Sequence, residues 1–255
     1  MKDLARALQD PLIKEVVGDQ AQPPERLCGG LTNRNYLLRG SLGTFVLRLN
    51  HQQPEALDLH RDYERAIHQA AADAGISPRV RVISADGHYW LRDYIPGESL
   101  DISALDADDL SMMADTLKTC HQLIIAGVPP MNVAAKAQHY LKHCPEAEQA
   151  ALTQQIKEVT GVSLSAPTLC HMDPLPANWI RDTAGKLWLI DWEYAASGHP
   201  LLDYAAVALH IPHHLTAHWR RCLPPHSETD WQAALQQLQL LETLWYKAGF
   251  AQPER

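Results

Sequence analysis

Several things are scarce in this sequence, and each scarcity closes a class of explanation. The five cysteines, Cys28, Cys120, Cys144, Cys170 and Cys222, are odd in number and contain no C-x-x-C pair. They read as reduced thiols in a cytoplasmic protein, mostly core fillers, and not as a disulfide scaffold. No uninterrupted apolar run approaches the roughly 20 residues that cross a bilayer, so no membrane partner is expected. The N-terminal MKDLARALQDPLIKEVVG carries charges throughout its apolar stretch, unlike a secretory signal. Lys and Arg number 22 against 30 Asp and Glu, and they are dispersed. A net charge of −8 without a basic block argues against a nucleic-acid partner. Neither an internal repeat nor a low-complexity segment is present. What remains is a soluble chain of 255 residues, long enough for one large domain or two tightly associated lobes.

Hydrophobic periodicity divides that length unevenly. Leu4, Leu8, Leu12 and Val16 recur at helical spacing, with Pro11 as a potential break. NRNYLLRG and TFVLRLN then read as strands of a hairpin, turned at Ser41 to Gly43. A helix over 57–74 follows, then strands RVRVIS and HYWLRDYI joined at Ala85-Asp86-Gly87. IPGESLD, with Pro96 and Gly97, reads as a hinge. Beyond it, helices are expected near 104–126, over much of 135–159 with an interruption at Pro145, and over 231–248. The fold class predicted is α+β: a small antiparallel-sheet lobe over 1–95 and a larger, mostly helical lobe over 96–255. A ligand cleft is expected between them.

The stretch CHMDPLPANWIRDTAGKLWLIDWEYA, residues 170–195, concentrates the chemistry. Phosphoryl transfer needs a carboxylate to orient and deprotonate an attacking hydroxyl, and oxygen ligands to hold Mg²⁺ on the triphosphate. Asp173 suits the base. Asn178, five residues on, and Asp191, at the end of the strand LWLI, suit the metal as hard oxygen donors. His171 would brace the loop. Each residue alone reads equally well as a turn or cap residue; the set at this spacing does not. The first lobe supplies matching parts. CGGLTNRNYLL offers a turn for phosphates, with Gly29 and Gly30 allowing close approach and Thr32 and Asn33 hydrogen bonding. It is neither G-x-x-x-x-G-K-[ST] nor G-x-G-x-x-G. Arg48 on TFVLRLN can hold phosphates, and Glu64 on the following helix can pair with it.

These stretches, with DYIPGESL, HMDPLPAN and LIDWEYAASGHPLLDYA, resemble the superfamily of choline kinases, thiamine kinases and aminoglycoside phosphotransferases. GLTNRNY and IDWEYA are especially similar to the choline and thiamine kinase branch. The resemblance implies a two-lobed protein-kinase-like fold and the use of ATP and Mg²⁺. It implies that Asp173 is the catalytic base, that Asn178 and Asp191 are metal ligands with Glu193 nearby, and that Arg48 stands where the family has a strand lysine, anchored by Glu64. Gly30, Thr32 and Asn33 would meet phosphates, and the Asp93, Tyr94, Ile95 backbone would meet adenine. Asp203 would brace the catalytic loop from beneath. One departure is plain: the family commonly has H-G-D-x-H-x-x-N, whereas Leu175 replaces the second His here.

The implied acceptor is a small cationic metabolite, choline, ethanolamine or thiamine first, with an aminoglycoside as the sibling alternative. Aromatic faces hold such cations, and Trp192, Tyr194 and Trp245 are the candidates, with Glu193 as a charge. A catalytically weak nucleotide-binding regulator is the alternative from another class, motivated by Leu175. The cluster His210, His213, His214 and His218 has helical spacing for a metal, but Pro212 interrupts it, and a solvated turn is the better reading. The expected protein works as a cytoplasmic monomer or homodimer.

Overall fold

The computed structural model describes residues 2–27, 32–51, 53–159 and 167–251. Gly29, Gly30 and Cys28 lie outside the described residues. The chain opens with α1 (Lys2–Gln9) and α2 (Pro11–Val17), separate because Asp10 caps the second helix by accepting from the Leu12 N–H at 2.8 Å. Pro11 thus starts a helix where its missing N–H costs nothing.

Strands β1 (Glu25–Leu27), β2 (Arg34–Gly40), β3 (Gly43–Leu49), β4 (Val80–Ile83) and β5 (Tyr89–Asp93) form one antiparallel sheet, ordered β1-β2-β3-β5-β4. Period-two alternation sorts the faces. Phe45, Leu47, Leu49, Tyr89 and Leu91 pack on Ala7, Ile13 and Val17 of the leading helices. The opposite face carries Val46 and Arg48 of β3 beside Arg92 and Trp90 of β5. Helix α3 is Arg61–Asp73, shorter than expected, because 54–58 form turns with Asp58 in the left-handed region at φ 54°.

The segment expected to be a hinge carries a short strand. Three residues beyond β5, β6 (Gly97–Ser99) pairs with β8 (Trp179–Asp182), which pairs with β9 (Leu187–Leu189). A Cβ on Gly97 would lie 2.0 Å from the Arg181 carbonyl oxygen, so only glycine permits this pairing. Helices α4 (Ala107–His121), α5 (Val133–Leu141) and α6 (Glu146–Glu158) follow, and β7 (Thr168–Cys170) pairs with β10 (Ala196–Gly198). Helices α7 (Leu201–Ala208), α8 (Thr216–Cys222) and α9 (Glu228–Lys247) complete the larger part. Its core joins Leu110, Met113 and Leu117 of α4 to Trp179, Trp192, Tyr204 and Trp219. This is the α+β, protein-kinase-like arrangement expected. Among the described residues no helix is long and apolar enough to cross a membrane.

Candidate active site

The loop after β7 is held in an unusual backbone shape by one buried acid. Met172 sits at φ +67°, costly for a side chain of its size. Asp203 on α7 compensates by accepting the His171 N–H at 2.9 Å and the Met172 N–H at 2.7 Å. The fully buried His171 bridges onward: its Nε2 donates to the Ile190 carbonyl at 3.0 Å, and its Nδ1 accepts the Asp173 N–H at 3.3 Å. Burial pushes the His171 pKa down to about 4, so the ring is neutral and serves as a spacer. Asp173 and the end of β9 are thereby fixed relative to each other.

Asn178 closes the loop, its Nδ2 donating to the Asp173 carbonyl at 2.8 Å and to Asp173 Oδ2 at 2.9 Å. Its amide oxygen has no hydrogen-bond donor among the described residues. Asp191, at φ +66° just past β9, accepts from Arg48 Nη1 at 3.1 Å through Oδ1 alone. Burial, together with Asp191 and Glu193, raises the Asp173 carboxyl well above the ordinary range. Burial and Glu193 likewise push Asp191 up to about 7, against the pull of Arg48. Crowded carboxylates with free hard oxygens on Asn178 and Asp191 make a donor set that fits a divalent cation such as Mg²⁺.

On the sheet side Arg48 and Arg61 are already paired. Arg48 donates from Nε to Asn50 Oδ1 at 2.8 Å and from Nη2 to Glu64 Oε1 at 2.5 Å, with its guanidinium 4.4 Å over the Trp90 ring. Arg61 joins Glu64 at 2.7 Å to Glu193 at 2.8 Å. Glu193 also accepts from Thr32 Oγ1 at 2.7 Å and Asn33 Nδ2 at 2.9 Å. Burial alone would raise Glu193, but Arg61, Arg48, Asn33 and Thr32 hold it below its usual range.

Of these groups Thr32 and Glu193 line a pocket of about 220 Å³. Asp173, Asn178, Asp191 and Glu193 line it together with Tyr140, Tyr194, Trp245 and Tyr246, and with Lys136, His210 and Glu242. The sequence matches the profile of the phosphotransferase enzyme family over residues 25–235. The chain belongs to that family. It is 26% identical over 196 residues to Protein LicA of Haemophilus influenzae, a match covering 70% of this chain and 56% of the relative's length. It is 26% identical over 193 residues to thiamine kinase of Escherichia coli O157:H7, covering 74% of this chain and 66% of that one. The fold is that of the choline kinase LicA from Streptococcus pneumoniae: TM-score 0.81, 20% identity, 99% of this chain and 93% of that one.

Against that phosphotransferase frame, the structure brings Asp173, Asn178, Asp191, Arg48, Glu64, Thr32 and Asn33 together. Of the segment expected to meet adenine, the Asp93 N–H is taken by the Arg79 carbonyl and the Tyr94 N–H by Thr44, leaving the Ile95 N–H without a partner among the described residues. Tyr194 and Trp245 line the pocket, joined by a 3.0 Å hydrogen bond from Trp245 Nε1 to the Tyr194 hydroxyl.

Trp192, Glu193 and the histidines are placed differently. Trp192 is fully buried, with its indole N–H on Ser77 Oγ at 3.0 Å and its ring against His171, because the left-handed turn at Asp191 swings it into the core. It cannot touch an acceptor. Glu193 reaches the pocket wall, but its oxygens are committed to Thr32, Asn33 and Arg61. The histidines diverge: His210 Nε2 meets Glu242 at 3.3 Å, His218 meets Ser111 at 2.9 Å, and His213 and His214 are exposed. The segment is also not a simple turn, since α8 follows it. Arg61, Lys136 and Tyr140 were not anticipated. Arg61 had a signal, three residues before Glu64 on one helix face; Lys136 and Tyr140 had none.

Proposed function

We propose that this chain is an ATP- and Mg²⁺-dependent kinase that phosphorylates the hydroxyl of a small cationic metabolite. The observation that carries the reading is the convergence of Asp173, Asn178 and Asp191 on one small aromatic pocket. Asp173 takes the role of base: its carboxylate, oriented by Asn178, accepts the hydroxyl proton of an acceptor in that pocket. Asn178 and Asp191 would hold the metal, which when bound neutralises charge on the transferring phosphoryl group. Arg48, kept rigid by Glu64, Asn50 and Trp90, presents a permanent positive charge to the same place. Thr32 and Asn33 border it, and the free Ile95 N–H suits an adenine nitrogen.

The acceptor side favours a small molecule. About 220 Å³ is below the roughly 300–1,000 Å³ of drug-sized ligand sites. Three of the four pocket acids are Asp173, Asp191 and Glu193, which leaves Glu242 for a cation, beside Trp245 and Tyr246. That single acid is a poor match for a polycationic aminoglycoside. ADP release from Mg-ATP across choline, ethanolamine, thiamine, homoserine and kanamycin tests this. Turnover with a small acceptor is expected; turnover with kanamycin alone, or Mg-ATP binding without any turnover, would overturn it.

A further inference from the structure

Lys136 is a lysine in a place where a ligand's cation would be at home. It projects from α5 into the acceptor pocket, yet its side chain is only 10% exposed. Its ammonium lies 5.4 Å from the ring centroid of Tyr140 and 5.4 Å from that of Tyr194, within cation–π range of both. The turn before α3 fixes it there. Asp58, held at φ 54°, offers its carboxylate at 3.0 Å and its own carbonyl at 3.2 Å to the same nitrogen. Helix α5 is pinned to that turn twice more, by the Tyr140 hydroxyl on the Leu57 carbonyl and by His139 Nε2 against the Ala56 carbonyl. An ammonium has three N–H groups. Two are spent on Asp58, and the third has no partner among the described residues.

We propose that Lys136 determines acceptor specificity. Its ammonium takes the seat between the two tyrosines and so turns the pocket against quaternary ammonium acceptors. The favoured acceptor is instead a hydroxy compound that offers a hydrogen-bond acceptor to the third Lys136 N–H and sends its own smaller cation to Glu242. This rests on the kinase reading for the word acceptor, but the ligand preference is measurable without turnover. A mere staple between α5 and the Asp58 turn would not be ligand-selective, and this gives the test.

Calorimetry with choline, ethanolamine and tetramethylammonium on the wild-type chain, Lys136→Ala and Lys136→Arg separates the two. Lys136→Ala vacates the seat and leaves Asp58 and both rings to receive a ligand cation. Choline and tetramethylammonium are expected to bind it at least about tenfold more tightly than the wild type, and to raise its unfolding temperature. Lys136→Arg should keep the wild-type exclusion. On the unmodified chain alone, choline should bind no more tightly than ethanolamine. Wild-type binding of choline tenfold tighter than ethanolamine, or a folded Lys136→Ala that gains nothing, would overturn the proposal. Failure of the kinase reading would show separately, as absent phosphoryl transfer with these binding differences intact.

Discussion

The two sides of the site are built on different principles. On the sheet side two carboxylates are committed before any ligand arrives: Glu64 gives one oxygen to Arg48 and the other to Arg61, and Glu193 gives its two to Thr32, Asn33 and Arg61. On the helical side the walls are Tyr140, Tyr194, Leu238, Leu241 and Trp245, and the charges are few. The first is a rigid electrostatic frame that would suit any triphosphate. The second is a shape whose polar groups, Lys136 and Glu242, are the ones proposed to choose among acceptors. Changes on the sheet side should therefore damage folding and turnover together, whereas changes on the helical side should move acceptor preference and spare the fold.

Glu64→Ala gives the sharpest contrast. Removing this buried acid takes a carboxylate from each of two guanidiniums, leaving Arg48 with Asp191 and Arg61 with Glu193, and a loss of about 3–5 kcal/mol of stability is expected by chemical denaturation. A loss under about 1 kcal/mol would erase the distinction between the halves. His68 extends the frame below Trp90, its ring 5.8 Å away and its Nε2 on the Pro78 carbonyl at 2.8 Å. Burial pushes its pKa down to about 3, from 6.5 in the unfolded chain. The unfolded state therefore takes up the proton first. Stability is full above pH 6.5 and falls on acidification from there toward pH 3, by up to about 1.4 kcal/mol per unit. Denaturation midpoints between pH 7 and pH 5 would reveal that slope, and His68→Gln should reduce it to the part that the likewise buried His171 contributes. The smallest change belongs to the other half. Glu242→Gln should raise KM for a cationic acceptor about tenfold, roughly 1.4 kcal/mol, with KM for Mg-ATP and the unfolding temperature unmoved. An equal rise in both KM values would mean the halves are not separable.

The same contrast explains what could be read in the sequence. Asp173, Asn178 and Asp191 fall within nineteen consecutive residues, and Arg48 and Glu64 lie sixteen apart. Short-range order along a strand, loop or helix suffices to group them. The hairpin β2–β3 and helices α4 to α6 were legible for the same reason, through local periodicity. Of the helical wall only Tyr194 and Trp245 were named from the sequence, because Lys136, Tyr140 and Glu242 come from distant segments that only tertiary packing joins. Trp192 shows the limit from the other direction. It lies between Asp191 and Glu193 in sequence, yet one left-handed residue sends it into the core, and no pattern of residue types marks that φ angle. β6 escaped notice because three residues, Gly97–Ser99, carry too little alternation to announce a strand.

The central claim is that Asp173 performs chemistry within a frame that binds nucleotide without it. The most direct test measures Mg-ATP affinity and single-turnover transfer on Asp173→Asn, using whichever acceptor proves active. The account predicts nucleotide affinity within about threefold of wild type and transfer slower by about 10²–10⁴, with Asp191→Ala losing both. Transfer by Asp173→Asn within tenfold of the wild type would contradict it.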